Sequence, residues 1–159
     1  MKITVVCVGK VKEEFYRKAA AEYQKRLGRY CKLELTEVPD EKTPDSAGAA
    51  IEQQIKEKEG GRILKQIRED MYVIALAIDG KALDSVAMSQ ALGQLGVSGK
   101  SSVAFIIGGS LGLSQQVLER ADEAWSFSKL TFPHQLMRVI LLEQLYRSYR
   151  ILCHEPYHK

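Results

Sequence analysis

The residues best suited to hold a ligand lie in two turns of the last third of the chain. The β-branched apolar run Ser102–Ile107 ends in Gly108-Gly109-Ser110-Leu111-Gly112, and a helix starts at Ser114. A strand that ends in glycines and opens a helix offers bare backbone N–H groups to an anionic or polar ligand, because no Cβ stands in the way. A second turn of this kind, Ser126–Pro133, follows the short run Ala124–Phe127 and leads into a long apolar helix. The glycines are not a dinucleotide or P-loop signature. Gly108-Gly109-x-x-Gly112 differs from G-x-G-x-x-G, and no Gly-Lys-Ser/Thr follows. A Rossmann fingerprint also belongs in the first strand-to-helix turn, where this chain has only Gly9. A nicotinamide-dependent oxidoreductase is therefore disfavoured, and for the glycines alone a plain tight turn is the alternative.

The elements that position these turns follow from the hydrophobic pattern. Lys2–Val8 (KITVVCV) is a first strand closed by Gly9-Lys10; a signal peptide would need a longer apolar region. Over Lys12–Tyr30 the residues Phe15, Ala19, Tyr23 and Leu27 recur at i, i+4, the stripe of an amphipathic helix. Its other face carries Arg17, Lys18, Lys25, Arg26 and Arg29, a solvated face first and a phosphate-contacting one second. Lys32–Val38 alternates as a second strand. Pro39–Ala47 is a polar loop, and Ala49–Ile67 is helical with a break at Gly60-Gly61. Tyr72–Ile78 (YVIALAI), apolar on both faces, is a central third strand that stops at a turn, Asp79-Gly80-Lys81. Asp84 or Ser85 caps the next helix, whose inner face is Val86, Leu92 and Leu95. Ser102–Ile107 is the fourth strand, Ser114–Ala121 a helix, and a fifth strand lies around Trp125. Pro133 then opens the final helix, which runs to about Leu152. This alternation specifies one α/β domain over residues 1–159, with a mainly parallel sheet and helices on both faces.

The bulk properties narrow the function classes. The chain has 159 residues, 45% hydrophobic and 27% charged, enough for a substantial core. No apolar run has membrane-spanning length. Cys7, Cys31 and Cys153 are odd in number, widely spaced and without a CxxC pair, which suits free thiols in a reducing cytoplasm and not disulfides or a zinc site. A net charge of +3 permits nucleic-acid binding without requiring it. The final helix has apolar residues on two sides: Leu136, Met137, Ile140, Leu141 and Leu145 on one, Val139, Leu142, Tyr146 and Tyr149 on the other. The expectation is that the sheet covers one side and a second subunit the other, most simply in an isologous homodimer.

Taken together, FIIGGSLGLS at Phe105–Ser114, SKLTFPHQLMR at Ser128–Arg138, EQLYR at Glu143–Arg147 and EPYHK at Glu155–Lys159 carry a family resemblance. The chain resembles the SPOUT superfamily of S-adenosylmethionine-dependent RNA methyltransferases, and within it the RlmH (YbeA-like) family, over essentially its whole length. The resemblance implies a deep trefoil knot in the C-terminal part (about residues 101–155), an exception to the rule that chains do not thread loops. It implies a homodimer through the knotted region, and S-adenosylmethionine bound among three loops. In this sequence those loops place Leu76, Gly108, Phe127, Ser128, Lys129, Leu130, Thr131 and Phe132 against the cofactor. The implied reaction is methylation at N3 of a pseudouridine in 23S ribosomal RNA, on assembled ribosomes; a non-catalytic RNA-binding relative with the same fold is the alternative.

Those assignments make chemical sense. Adenine and ribose need an apolar slot edged by backbone donors and acceptors, with close approach at Gly108 and walls from Leu76 and Leu130. The sulfonium already activates the methyl group, so no metal is implied, and the enzyme's contribution is alignment. The target N3 carries a weakly acidic proton. His158 is a candidate to take it, and Tyr157, Lys159 or Arg138 could steady the uracil carbonyls or phosphates. Each residue also has a plainer reading: His158 as terminal tail, His134 as a structural hydrogen-bonder, Arg138, Arg147 and Arg150 as salt-bridge partners. Glu143 is expected to pair with those arginines, and Trp125 to pack in the core or under the cofactor loop.

Overall fold

Strands and helices alternate along the whole chain in the computed structural model, which describes residues 1–159. In order they are β1 (Lys2–Val8), α1 (Glu14–Leu27), β2 (Lys32–Val38), α2 (Ala49–Leu64), β3 (Tyr72–Ala82), α3 (Ser85–Val97), β4 (Ser102–Ile107), α4 (Gln115–Arg120), β5 (Glu123–Ser126) and α5 (His134–Leu152). The strands form one sheet in the order β2-β1-β4-β3-β5, and every neighbouring pair is parallel. The neighbouring strands β1 and β4 are buried on both faces, which explains why Ile3–Val8 and Ser102–Ile107 are apolar apart from Thr4 and Ser102.

The period-2 alternation of these strands divides the core into two layers. Ile3, Val5, Cys7, Val103, Phe105 and Ile107 face Leu27 of α1, Leu92 of α3 and Leu141, Leu142 and Leu145 of α5. Val6, Val8, Ala104 and Ile106 face Ile63 of α2 and Val117 of α4. Helices therefore cover both faces of the sheet.

Helix ends follow local chemistry. Asp84 Oδ1 accepts the Ala87 N–H at 2.7 Å and starts α3; Ser114 Oγ accepts the Val117 N–H at 3.4 Å and starts α4. Pro133 stands at the N-cap of α5. The first turn of α1 has no side-chain cap of its own. Gln135 of α5 serves it instead, accepting the N–H groups of Lys12 at 2.9 Å and Glu13 at 3.4 Å.

Five expectations need correction, the simplest being that Val86 is not on the inner face of α3 but 40% exposed, the buried residues there being Met88, Ser89 and Leu92. First, α2 runs unbroken through Gly60-Gly61. The glycine is there for proximity: a Cβ on Gly60 would lie 2.3 Å from Ser114 Oγ. Second, β3 does not stop at Asp79. Leu76 and Lys81 both pair with Trp125, so residues 77–80 are looped out within a strand that resumes. Third, Phe15 is not on the inner stripe of α1 but 63% exposed. Fourth, α5 is not bare on one side. It packs on the sheet and lies between α1 and α3, with Tyr146 and Tyr149 meeting Tyr23 and Tyr30 of α1. On the other flank, Gln144 accepts the Ser85 hydroxyl of α3 at 2.7 Å. The helix that comes last in sequence is the middle one of its layer: Leu141, Leu142 and Leu145 are buried within one chain, while Leu136, Met137, Val139 and Ile140 stay half-buried.

Candidate cofactor and active site

The carboxyl ends of β3, β4 and β5 converge, the place where open parallel sheets bind ligands. They enclose a cavity of about 890 Å³, walled by the looped-out part of β3, the glycine turn after β4, the segment after β5 and the first turn of α5. Its size is in the range that takes a small organic cofactor.

Each wall has a local cause. In β3, a Cβ on Gly80 would lie 2.7 Å from the backbone C and O of Ala124, so only glycine lets the bulge lie against β5. After β4, the chain folds back on itself: the Gly112 N–H donates to Gly109 O at 3.1 Å, and Gly112 has φ +87°. A Cβ on Gly108 would meet Leu113 Cδ2 at 2.9 Å and Gly112 backbone at 3.1 Å. The glycines thus form a tight cradle with backbone exposed to the cavity. After β5, the Ser128 hydroxyl accepts the Leu130 N–H at 2.9 Å, and the Ser126 hydroxyl donates to Ser128 O at 3.2 Å. These bonds set the shape of the segment that ends at Pro133.

Of the residues expected to hold the cofactor, Leu76, Gly108, Phe127, Ser128, Leu130, Thr131 and Phe132 all line this cavity. Lys129 lies between two of them and is exposed, outside the wall. Trp125, fully buried, packs edge-on to Phe105 at 5.8 Å between ring centroids and forms the floor. Sequence reading did not single out Asp79, His134 or Met137 as wall residues. The signals were available but ambiguous: Asp79 sat in an apparent turn, and His134 directly followed the ligand-competent loop.

Asp79 is the one carboxylate of the wall, and no lysine or arginine lines it. The other titratable wall residue, His134, is held below its usual pKa by burial and then by the Arg138 cation, against a weaker pull from Asp40. It is neutral at pH 7, and its Nδ1 is buried without a partner.

The three candidate catalytic residues are not brought together. Arg138 is 3% exposed, bonded through Nη1 to Glu37 at 2.6 Å and through Nη2 to Gly9 O at 3.0 Å, behind the cavity wall. Tyr157 donates to Glu143 Oε1 at 2.9 Å, and His158 Nδ1 lies 3.2 Å from Arg147 Nη1. Burial, then the bond to the Glu143 carboxylate, pushes Tyr157 up to about 12. Glu143 also binds Arg147 at 2.7 Å, the expected pairing. The tail is fastened further by Glu155, which accepts from Tyr30 at 2.9 Å and pairs with Arg150. Glu143 stands six positions beyond Met137, the last wall residue of α5, roughly 9 Å along the helix at 1.5 Å per residue. In its own chain the tail is therefore fastened to α5 beyond the last wall residue, and neither Tyr157 nor His158 lines the cavity. No three His, Cys, Asp or Glu side chains converge as a metal site would, and no helix is long and apolar enough to cross a membrane.

A sequence family described as "Predicted SPOUT methyltransferase" matches residues 1–158. The ribosomal RNA large subunit methyltransferase H of Bifidobacterium adolescentis is 62% identical over 159 residues, covering all of both chains. The proteins of the same name from Clostridium novyi and Clostridium kluyveri are 58% and 57% identical, again over the full length of each.

Proposed function

The chain belongs to the SPOUT methyltransferases, whose fold implies a knotted C-terminal region, and on that footing we propose that it methylates ribosomal RNA of the large subunit with S-adenosylmethionine as donor. The full-length relatives carry that RNA in their name. In finer detail, the target is N3 of a pseudouridine in 23S RNA, modified on the assembled ribosome in the cytoplasm. One observation carries the proposal: the cavity at the ends of three parallel strands combines a glycine cradle, exposed backbone and an apolar slot. Those features fit an adenosyl group, with Leu76, Gly108 and Leu130 against the adenine and ribose, Phe127, Ser128, Thr131 and Phe132 closing over it, and Lys129 carried by the same segment outside the wall.

When bound, the cofactor supplies a methyl group already activated on sulfur. The protein's task is to align the uracil N3 with that carbon and to accept or disperse the N3 proton's charge. His158 and Tyr157 are the candidates for that work, and their anchoring on Glu143 and Arg147, beyond the cavity of their own chain, supports the reading that they serve the cavity of a second copy. The chain therefore acts as a homodimer with shared sites. Exposed Leu130 (69%) and Ile78 (50%) of the cavity wall give such a partner apolar surface to cover. Arg138, with both terminal nitrogens engaged, positions the first strand-to-helix turn.

The test is transfer of labelled methyl from S-adenosylmethionine to ribosomes lacking the modification, with the labelled position mapped. Label at N3 of one large-subunit pseudouridine is expected; binding of the cofactor without transfer to any ribosomal RNA would favour a non-catalytic RNA-binding role. Mixing a Gly108→Val protein with a His158→Ala protein tests the shared site. Each is expected to be inactive alone, and the mixture to recover activity, because one hybrid site has an intact cavity and an intact tail. No recovery between exchanging subunits would place tail and cavity in the same chain.

A further inference from the structure

The turn between β1 and α1 is held with more tethers than a connector needs. Gly9, at φ +87°, faces His134, whose Cε1 would lie 3.2 Å from a Cβ there. Its carbonyl accepts from the buried Arg138 at 3.0 Å. Glu37 Oε2 accepts the Val11 N–H at 3.1 Å and binds Arg138 at 2.6 Å. Gln135 Oε1 takes the N–H groups of Lys12 and Glu13. Burying a guanidinium costs desolvation that only such bonds offset, so fixing this turn uses a charge that could have been an apolar side chain. Two of these tethers come from the first turns of α5, which also wall the cavity.

What the turn presents is exposed. Lys10 and Lys12 project from it and form no ion pair, and Phe15 follows at 63% exposure, its ring 4.4 Å from that of Tyr16. Nearby, Glu14 pairs with Lys18 at 3.4 Å, and the anions without an ion pair are Glu13 and, beside Gly9, Asp40. Two rigidly placed cations beside a bare aromatic face are the two elements of single-stranded RNA recognition: neutralised phosphates and a stacked base. A subunit interface would suit Phe15 but would bury the unpaired lysines.

We propose that residues 9–15 form a second contact surface for the substrate RNA, with Lys10 and Lys12 on phosphates and Phe15 stacked on an unpaired base next to the target nucleotide. This rests on the reading of the protein as a ribosomal RNA methyltransferase. The surface fixes the RNA relative to the cavity because both are built on the same end of α5.

The experiment compares wild type, Lys10→Ala/Lys12→Ala and Phe15→Ala for kcat/KM with unmodified ribosomes at increasing salt, and for S-adenosylmethionine affinity by calorimetry. All three residues are exposed, so the variants fold. Loss of two phosphate contacts flattens the salt dependence, so that wild type loses about tenfold more activity than the double variant between 50 and 200 mM salt. Phe15→Ala is expected to raise KM at every salt concentration without changing that slope, and cofactor affinity is expected to stay the same in both variants. An unchanged slope in the double variant, or a Phe15→Ala protein whose only defect is a lower sedimenting mass, would overturn the inference while leaving methyl transfer intact. Absence of transfer by the wild type itself would instead overturn the underlying function.

Discussion

At the scale of residues, two buried charges show how environment decides role. Arg138 spans Glu37 and Gly9 with one planar fork. Lysine keeps the charge but reaches only one of them, so Arg138→Lys is expected to cost about 1–3 kcal/mol in urea unfolding. Glu59 lies 4% exposed behind the glycine turn, with one oxygen on the Glu41 N–H at 3.0 Å and the other unpartnered. Burial raises its pKa above the free value of 4.5, outweighing the bond to Glu41. A carboxyl raised on folding favours the folded state when protonated, so its contribution is fully present below pH 4.5 and is lost as pH rises through the folded value. Glu59→Gln keeps an acceptor for Glu41 and removes the buried charge. It is expected to raise Tm relative to wild type at pH 8 and to lose that advantage at pH 4; an equal gain at both would show that charge is not the cause.

At the scale of elements, the glycines separate two mechanisms that look alike in sequence. Gly61 has nothing within 4 Å of a Cβ, whereas Gly80 would drive one into the backbone of β5 at 2.7 Å. Gly61→Ala is expected to stabilise α2 by about 1 kcal/mol through helix propensity. Gly80→Ala is expected to destabilise by about 1–3 kcal/mol and to weaken cofactor binding, because residues 77–80 form a cavity wall. Thermal scans with and without cofactor distinguish the two. The same contrast marks what the sequence could tell. The order of strands and helices was legible from apolar runs and from the Asp84 and Ser114 caps, because these signals are local. The place of α5 was not, because apolar residues on both sides of a helix say that it is covered and not by what. Phe15 fitted the i, i+4 stripe as well as Tyr23 did; only the path of the turn before it takes it out of the core. The turns that wall the cavity were legible because glycine- and serine-rich segments follow the fourth and fifth strands directly in the sequence. Asp79 was hidden by a bulge that arises from contact with β5, many residues away.

At the scale of the whole molecule, three separate strand ends must hold their positions for one cavity to exist, so a ligand that bridges them stabilises the fold. S-adenosylmethionine at about 100 times its Kd is expected to add about 2.7 kcal/mol to unfolding and raise Tm, and NAD to do neither. The charge of the cavity has one more consequence, concerning turnover. Asp79 is its one acidic side chain, and no lysine or arginine lines it. The methyl donor carries a sulfonium cation, and the spent thioether does not. On the proposed reading, Asp79 as the one carboxylate of the wall would favour the sulfonium donor over its uncharged thioether product, so methyl transfer would remove part of the hold on the product. Asp79→Asn is expected to bring the dissociation constants of donor and product closer together, with product inhibition growing accordingly in steady-state assays.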